Sequence, residues 1–408
     1  MPAPRRLFLR NRSALLCLVL AAYFLAPSLA DGGMAGAADG DLCSSQQTAL
    51  VSGGRYAIRN NNYGKAAECI RPYDDSGFTV TESAASGGGQ DGAPVAYPEI
   101  FDGCHWDVCT QNSRLPIKVD EIGAARSSWS TSRASDTTGD YDVAYDLWFN
   151  SSAQTTGQPD GAELMIWLDR QPPGPPPTDS TVSWVNRTAF HTWIRTISAN
   201  NTSWPMIAYQ LVSPTGSVDL DMRSFIRDAV VRGVIKPSQY LVAVEAGFEI
   251  WSGGKGLRID SFSAAERKGY LVGSITSGTA DICVTELGDT AGTAGNPIGI
   301  DHCGGGSRQQ WTVAIDGTIR HGGMCMGTTG AMIALHPCNG SPYQVWLPSG
   351  SGGLWNLGTS AQNNDNGLCL RDPSEAGAPG TQLDLVNCDG SSPAQNWSLP
   401  VSVLPNPA

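Results

Sequence analysis

Two short segments set acids beside aromatic residues in a pattern that could do chemistry. In 241–251, LVAVEAGFEIW, a period of two places Val242, Val244, Ala246, Phe248 and Ile250 on one side of a strand, and Leu241, Ala243, Glu245, Gly247, Glu249 and Trp251 on the other. The first side reads as core; the second holds two carboxyls and an aromatic on an open face. In 163–169, ELMIWLD, the residues Leu164, Ile166 and Leu168 turn inward while Glu163, Met165, Trp167 and Asp169 turn outward together. Paired carboxyls on neighbouring strands with rings around them suit cleavage of a sugar acetal, which needs a proton donor on one side of the bond and a carboxylate on the other. A single Glu on an open strand is ordinarily a solvated surface residue, so the reading rests on the repetition of the design.

The elements that must position these residues are mostly strands. From about 43 to 264 the chain alternates over short runs broken by Gly, Asn and Pro turns such as GQDGAP and QPPGPPP, which predicts a sandwich of antiparallel sheets. One segment departs from period two. Met222, Phe225, Ile226, Ala229 and Val230 recur at helical spacing, with Asp221 early and Gly233 just past the end, so a single amphipathic helix is predicted over 221–232. The second half repeats itself around 283–311, 325–346 and 369–397: a Cys, a second Cys 13 to 20 residues later, then Gln309-Gln310-Trp311, Gln344-Val345-Trp346 or Gln395-Asn396-Trp397. Trp residues in register argue for subunits closing around a shared core, because one such unit cannot bury its own apolar face. The connection AERKG, 265–269, reads as a short linker.

With 408 residues the chain can form two cores. Its first 30 residues read as an export signal: Arg5, Arg6, Arg10 and Arg12, an apolar run from Ala14 to Ala26, and Ser28-Leu29-Ala30 as the cleavage site. RRLFLR also resembles a twin-arginine signal, so the general secretory and the twin-arginine routes both stay open. The apolar run is too short for a membrane span, and a spacer, 31–42, follows it. Cleavage moves the formal charge from −12 to −16, which makes nucleic acid an improbable partner and leaves a neutral polysaccharide acceptable. Of eleven Cys, Cys17 leaves with the signal, and the remaining ten could all pair in an oxidising medium. No CxxC pair accompanies the scattered His, so a zinc site is not expected. His105, His191 and His321 have no evident partners and are expected to be structural or exposed.

GAELMIWLD, AGFEIWSGG, the early NNNYG (60–64) and GCHWDVC (103–109) together resemble glycoside hydrolase family 12, retaining endoglucanases and xyloglucanases, over nearly all of 43–264. The resemblance implies a β-jelly roll with two curved sheets and a long cleft. It implies that Glu163 is the nucleophile, Glu249 the acid/base, and Asp146 of AYDLWF the residue assisting the nucleophile. Alternation agrees for Asp146, which shares a face with Asp142, Trp148 and Asn150. Asn61, Tyr63, Trp106, Met165, Trp167, Trp251 and Glu245 are the candidate substrate contacts, and disulfides Cys43–Cys69 and Cys104–Cys109 are implied. Tyr63 stands where the family usually has Trp, Glu245 where Gln is usual, and Asp169 where Asn is usual.

Residues 270–399 resemble the ricin-type β-trefoil, carbohydrate-binding module family 13, implying pairs Cys283/Cys303, Cys325/Cys338 and Cys369/Cys388 before a tail, 400–408. Sugar binding in that family uses an Asp two residues after the first Cys of each repeat. Thr285, Gly327 and Arg371 occupy those places, leaving His336 and Asp372 as the substitutes that could touch a second polysaccharide. The resulting expectation is an all-β protein, a jelly-roll sandwich with one helix followed by a β-trefoil. It would be a secreted, monomeric, retaining endo-β-1,4-glucanase acting on cellulose or related β-glucans, with neither cofactor nor metal and no membrane contact once the signal is removed. A xyloglucan-specific endoglucanase and a non-catalytic carbohydrate-binding protein are the alternatives, and a toxin or adhesin lacks any catalytic motif of its own.

Overall fold

The computed structural model describes residues 40–401 apart from 65, 74–75, 89–92, 175, 200–201 and 363–366. The expected export signal, nearly all of the spacer and the tail beyond Val401 lie outside the described residues. Residues 40–268 form two stacked sheets. The main path of the larger runs Thr48–Val51, Tyr56–Arg59, Glu99–His105, Tyr240–Gly247, Gly139–Asn150, Ala162–Gln171, Thr202–Leu211, Thr188–Ala199, Thr181–Val185. The smaller runs Ser217–Asp221, Ile122–Arg133, Leu257–Lys268, Gly77–Ser83, Glu68–Tyr73. Pairing is antiparallel except between Ala162–Gln171 and Thr202–Leu211, which run parallel because the hairpin partner Thr188–Ala199 takes the outer place. The segments around 170–205, which have no clear reading from pattern, therefore extend the sheet as strands. Between the sheets lies one apolar core, including Phe78, Trp129, Tyr145, Phe149 and Phe248.

Two bulges alter the side-chain directions expected from strict alternation. In Tyr240–Gly247 the register against Gly139–Asn150 shifts between Leu241 and Ala243. An extra residue opposite one partner reverses the faces on its N-terminal side. Leu241 consequently joins the core, and Val242 packs with Trp148 and Trp204 on the outer, concave face, the reverse of the expectation for both. A second shift, between Trp167 and Asp169, sets Asp169 opposite the core residue Val143 and Arg170 opposite Asp142. Asp169 thus leaves the open face and lies 3.9 Å from Arg133 of the smaller sheet, while Arg170 takes its place. The expected single strand 241–251 is also broken, pairing as Tyr240–Gly247 and then Ile250–Gly253, with Glu249 between.

The predicted helix forms at Met222–Val231. Its C-terminus closes with Gly233 at φ +77°, Gly233 N–H donating to Val230 O and Val234 N–H to Ala229 O, a double bond pattern that needs a left-handed residue. The predicted linker is not one. Strand Leu257–Lys268 runs through it, paired to Ile122–Arg133 as far as Lys268, and the next strand begins at Leu271.

From Leu271 onward three sheets close around Trp311, Trp346 and Trp397. Each indole Nε1 donates to the carbonyl of the residue after the first Cys of a repeat: Val284 at 2.8 Å, Met326 at 2.9 Å, Leu370 at 2.9 Å. Each Gln side chain closes the loop behind its second Cys, Gln309 with His302 O, Gln344 with Pro337 O and Gln395 with Asn387 O. Buried polar groups are thereby satisfied three times by one rule. The ten cysteines among the described residues all pair: Cys43–Cys69, Cys104–Cys109, Cys283–Cys303, Cys325–Cys338 and Cys369–Cys388. His321 is neither exposed nor unpartnered, its Nε2 lying 3.0 Å from the buried Glu286 carboxylate.

Candidate active site

The concave face of the larger sheet carries a crowd of carboxyls. Asp146 stands directly opposite Glu245 on one neighbouring strand and Met165 on the other, and Glu163, two residues before Met165, lies on the same face opposite Trp148 and Met206. Directly opposed residues share a face, so Glu245, Asp146 and Glu163 form a row across three strands. Glu249 reaches the face from the break in its strand: its N–H donates to Asp142 Oδ1 at 3.3 Å and its carbonyl accepts from Asp142 N–H at 3.0 Å. Glu163 from its strand and Glu249 from the break in another therefore reach one surface, where the Glu249 charge acts on Glu163.

Rings wall this row. Trp106, Trp148 and Trp204 contact in series with centroids 4.9 and 5.5 Å apart, and Trp167 meets Trp193 at 5.3 Å. Trp204 Nε1 donates to Glu163 Oε2 at 2.5 Å, a charge-assisted bond that holds the carboxylate in place. Trp204, Trp193, Met206 and Arg170 carried no motif. The alternation Trp204, Met206, Ala208 in Thr202–Leu211 was the signal that could have found two of them. Arg170 lies over the Trp251 ring, 4.7 Å from its centroid, and its positive charge acts on both Asp142 and Glu249. Tyr63 is 54 % exposed, Met165 packs among Trp193, Met206 and Ala208, and Trp106 is half-buried against Trp148.

Desolvation sets the acidities. Burial pushes the Glu163 carboxyl up to about 7, the Trp204 N–H working against this and the Glu249 charge adding to it. Glu249 is raised by burial, with Asp142 and Arg170 pulling it back. Asp146 is raised well above the usual range by burial and by Glu163, Glu245 and Glu249 together. Asp146 Oδ1 is buried without a hydrogen-bond partner among the described residues.

Glu245 and Asn61, expected to face the sugar, do other work. Glu245 has no exposed surface, and His105 Nδ1 lies 2.6 Å from its Oε1. Asn61 Nδ2 sits 3.5 Å from His105 Nε2, and its Oδ1 accepts from Gln46 Nε2. Burial holds His105 down to about 4, so it is neutral, donating through Nδ1–H to Glu245 and accepting at Nε2 from Asn61. The expectation that His105 lacks a partner is thus corrected: the partner is 140 residues away. Glu99, His105 and Glu245 bring ligand-type atoms within 4.8 Å of one another. Burial raises both carboxyls to about 8, and Arg59 acts on both. Retained protons and the Arg59 guanidinium both offset the buried charge of these carboxyls.

Such raised carboxyl pKa values set a pH dependence of stability. Glu68, like Glu99 and Glu245, is pushed up to about 8 by burial, from an ordinary 4.5. The folded state keeps protons that the unfolded chain releases, so their contribution is full below about 4.5 and is lost as pH rises towards 8. The melting temperature is expected to fall between pH 5 and pH 8, and Glu68→Gln to flatten that fall. A melting temperature that rises across the window, or a slope that Glu68→Gln leaves unchanged, would refute the assignment.

Residues 54–266 match the family described as Glycosyl hydrolase family 12, and residues 271–397 match the Ricin-type beta-trefoil lectin domain. The chain is 34 % identical over 156 residues to a "Probable cellulase Cel12b" of Mycobacterium tuberculosis, covering 37 % of this chain and 97 % of that protein. It is 33 % identical over 141 residues to a "Probable xyloglucan-specific endo-beta-1,4-glucanase A" of Aspergillus terreus, covering 34 % of this chain and 54 % of that one. Among solved structures it resembles an endoglucanase, cel12A, of Rhodothermus marinus, at 38 % identity and a TM-score of 0.51, over 56 % of this chain and all of that one. A metagenome-derived family 12 endoglucanase matches at 36 % identity and a TM-score of 0.51, over 56 % and 98 % of the two chains. The chain belongs to glycosyl hydrolase family 12, with a ricin-type β-trefoil lectin domain at its C-terminal side.

Proposed function

We propose that this protein is an endo-β-1,4-glucanase of the cellulase type that works by double displacement. The observation that carries this reading is the placement of Glu163 and Glu249 on one concave, Trp-walled face, Glu163 in the carboxyl row and Glu249 bonded to Asp142 of the neighbouring strand. Glu163 attacks the anomeric carbon while the glycosidic oxygen leaves with the Glu249 proton; Glu249 then takes a proton from water as that water displaces Glu163. For the first step Glu163 must be ionised and Glu249 protonated. Carboxyls that act on one another hold one charge more readily than two, and the Trp204 N–H stabilises that charge when it sits on Glu163. Asp146, whose protonated form is favoured by burial and by the Glu163 charge, stands in the row with Glu163 as the candidate donor when negative charge returns there. Trp106, Trp167, Trp251 and the exposed Tyr63 offer faces for pyranose rings.

Five disulfides fit an oxidising compartment, and among the described residues no helix is long and apolar enough to cross a membrane. Together with the expected leader they support a secreted enzyme acting outside the cell on polysaccharide.

For the trefoil, Asp372 is withdrawn as a sugar contact. It has no exposed surface, and its carboxylate accepts from Ser374 N–H, Ser374 Oγ and Gly377 N–H, closing its own turn. Arg371 is paired to Asp384 at 2.7 Å and Thr285 to Gln309 at 2.9 Å. An open cavity of about 740 Å³ remains in the second repeat, lined by Thr328, His336, Asn339 and Tyr343 among others. His336 Nε2 is buried there without a hydrogen-bond partner among the described residues, beside the space that Gly327 leaves without a side chain. We place any sugar affinity of the trefoil at this cavity.

Three outcomes test these readings. Glu163→Gln and Glu249→Gln should each remove nearly all release of reducing ends from carboxymethylcellulose and barley β-glucan while the fold survives, since acid-base action alone is worth roughly 10² to 10⁴ in rate. Either variant keeping more than about a tenth of the wild-type rate would sink the assignment, being above the lower end of that range. Initial rates on xyloglucan and xylan beside these two place the substrate preference. Trp204→Phe removes a donor to the Glu163 carboxylate and so should raise its pKa; the acid limb of the kcat/KM profile should move to higher pH, and a limb that stays put or moves down argues against Glu163 as the ionised nucleophile. Titration of the full chain with xylo- and galacto-oligosaccharides should show weak binding that His336→Ala abolishes, whereas binding unaffected by that change puts the site elsewhere.

A further inference from the structure

The helix Met222–Val231 has two buried faces. Met222, Phe225, Ile226, Ala229 and Val230 enter the core of the sandwich, Phe225 meeting Phe190 and Tyr209 with centroids 5.2 Å away. Arg223 and Arg227, one helical turn apart on the other side, are only 4 % and 5 % exposed although the face they occupy is polar in sequence. Both reach into the trefoil. Arg223 Nη2 donates to Val313 O at 2.6 Å while its Nε holds Ile122 O of the smaller sheet at 2.9 Å. Arg227 donates to Ala314 O at 3.3 Å, to Gly317 O at 3.0 Å and to Trp346 O. A guanidinium is suited to such a place, because its donors fan out in a plane and it is weakly hydrated.

The surrounding contacts are of the same kind. Ile315, at the tip of the trefoil turn between Val313 and Gly317, is part of the apolar core of the sandwich and 5 % exposed. Gly317, at φ +85°, leaves the room Val231 occupies; a Cβ there would lie 2.8 Å from Val231 Cγ2. Trp184 of strand Thr181–Val185 lies on Gly350, where a Cβ would come within 2.2 Å of the ring, and Arg187 Nη2 donates to Asn396 Oδ1 at 2.8 Å. Only Gly269 and Tyr270 separate the last strand of the sandwich from the first of the trefoil.

We infer that the trefoil is docked as a fixed second half of the enzyme, latched by Arg223 and Arg227 of the helix that packs on the core side of the larger sheet. The helix packs on the core side of that sheet, and Glu163, Asp146 and Glu245 stand on its other side. The two latch residues therefore stand apart from the carboxylate row; a polysaccharide strand that the trefoil holds is an anchor at a set distance from the strand being cut. That last consequence rests on the hydrolase reading above, whereas the latch does not, so the test separates them.

The test is limited trypsin digestion of the full disulfide-bonded chain, following cleavage after Arg267 and Lys268, for wild type and an Arg223→Met/Arg227→Met variant. Met keeps most of the volume and removes the donors. The variant should be cut at this junction roughly tenfold faster or more, a factor equivalent to about 1.4 kcal/mol. Its kcat/KM on soluble barley β-glucan should stay within about twofold, which is under 0.5 kcal/mol on the same scale. Equal cleavage rates overturn the latch; a larger loss on soluble glucan with a released junction overturns the separation of the latch from the carboxylate row. Should the variant fail to accumulate, the wild type decides: release of two stable halves from the native protein overturns the inference, and resistance until global unfolding supports it.

Discussion

Mutual repulsion among desolvated carboxyls governs the concave face. Asp142, Asp146, Glu163 and Glu245 are buried there and Glu249 half-buried, and burial is the first cause of every raised pKa among them. Such a surface is stable only while it holds fewer charges than carboxyls. Its neighbours distinguish the members: Trp204 gives Glu163 a single N–H, Arg170 sets a cation beside Asp142 and Glu249, and His105 hydrogen-bonds Glu245. Chemically identical carboxyls thus have unequal surroundings, which the proposed mechanism requires of its two acids.

Backbone irregularities do the aiming. A strictly regular strand at 163–171 would put Asp169 beside the catalytic row and add another acid to it. The bulge at Leu168 exchanges Asp169 for Arg170, converting a prospective repulsion into a counter-charge and bringing a guanidinium onto Trp251. The bulge at Val242 likewise turns an apolar residue outward to support Trp148 and Trp204. At the break after Gly247, Glu249 is freed from the ladder and held instead by two backbone bonds to Asp142.

The trefoil keeps the scaffold of its family while its usual sugar contacts are replaced. Its three indole-to-carbonyl bonds and three Gln-closed loops are intact, and these secure the shared core. The positions that would carry the usual acids instead hold a Thr bonded to Gln309, a Gly and an ion-paired Arg. Selection for packing and for ligand contacts acts on different atoms, so one can persist where the other changes.

Local periodicity by itself determined much of this protein: the helix to within a residue at each end, the alternating strands, the three Trp repeats, and the acids Glu163, Asp146 and Glu249 on a common face. Each of these is encoded within some ten residues, where the backbone period and the side-chain pattern must agree. The resemblance to known families supplied the chemical roles and the disulfide pairing, which spacing alone leaves open. Only tertiary structure decided the partners. Trp204 lies 41 residues from Glu163, His105 140 from Glu245, and Arg227 119 from Trp346, so no window of sequence contains both members of any pair. The bulges at Leu168 and Val242 were equally hidden, because an inserted residue changes which face a side chain takes without changing its apolar or polar character. Burial of Arg223 and Arg227 was the most distant from the pattern: two cations on a polar helix face signal solvent until a second domain presents its carbonyls to them.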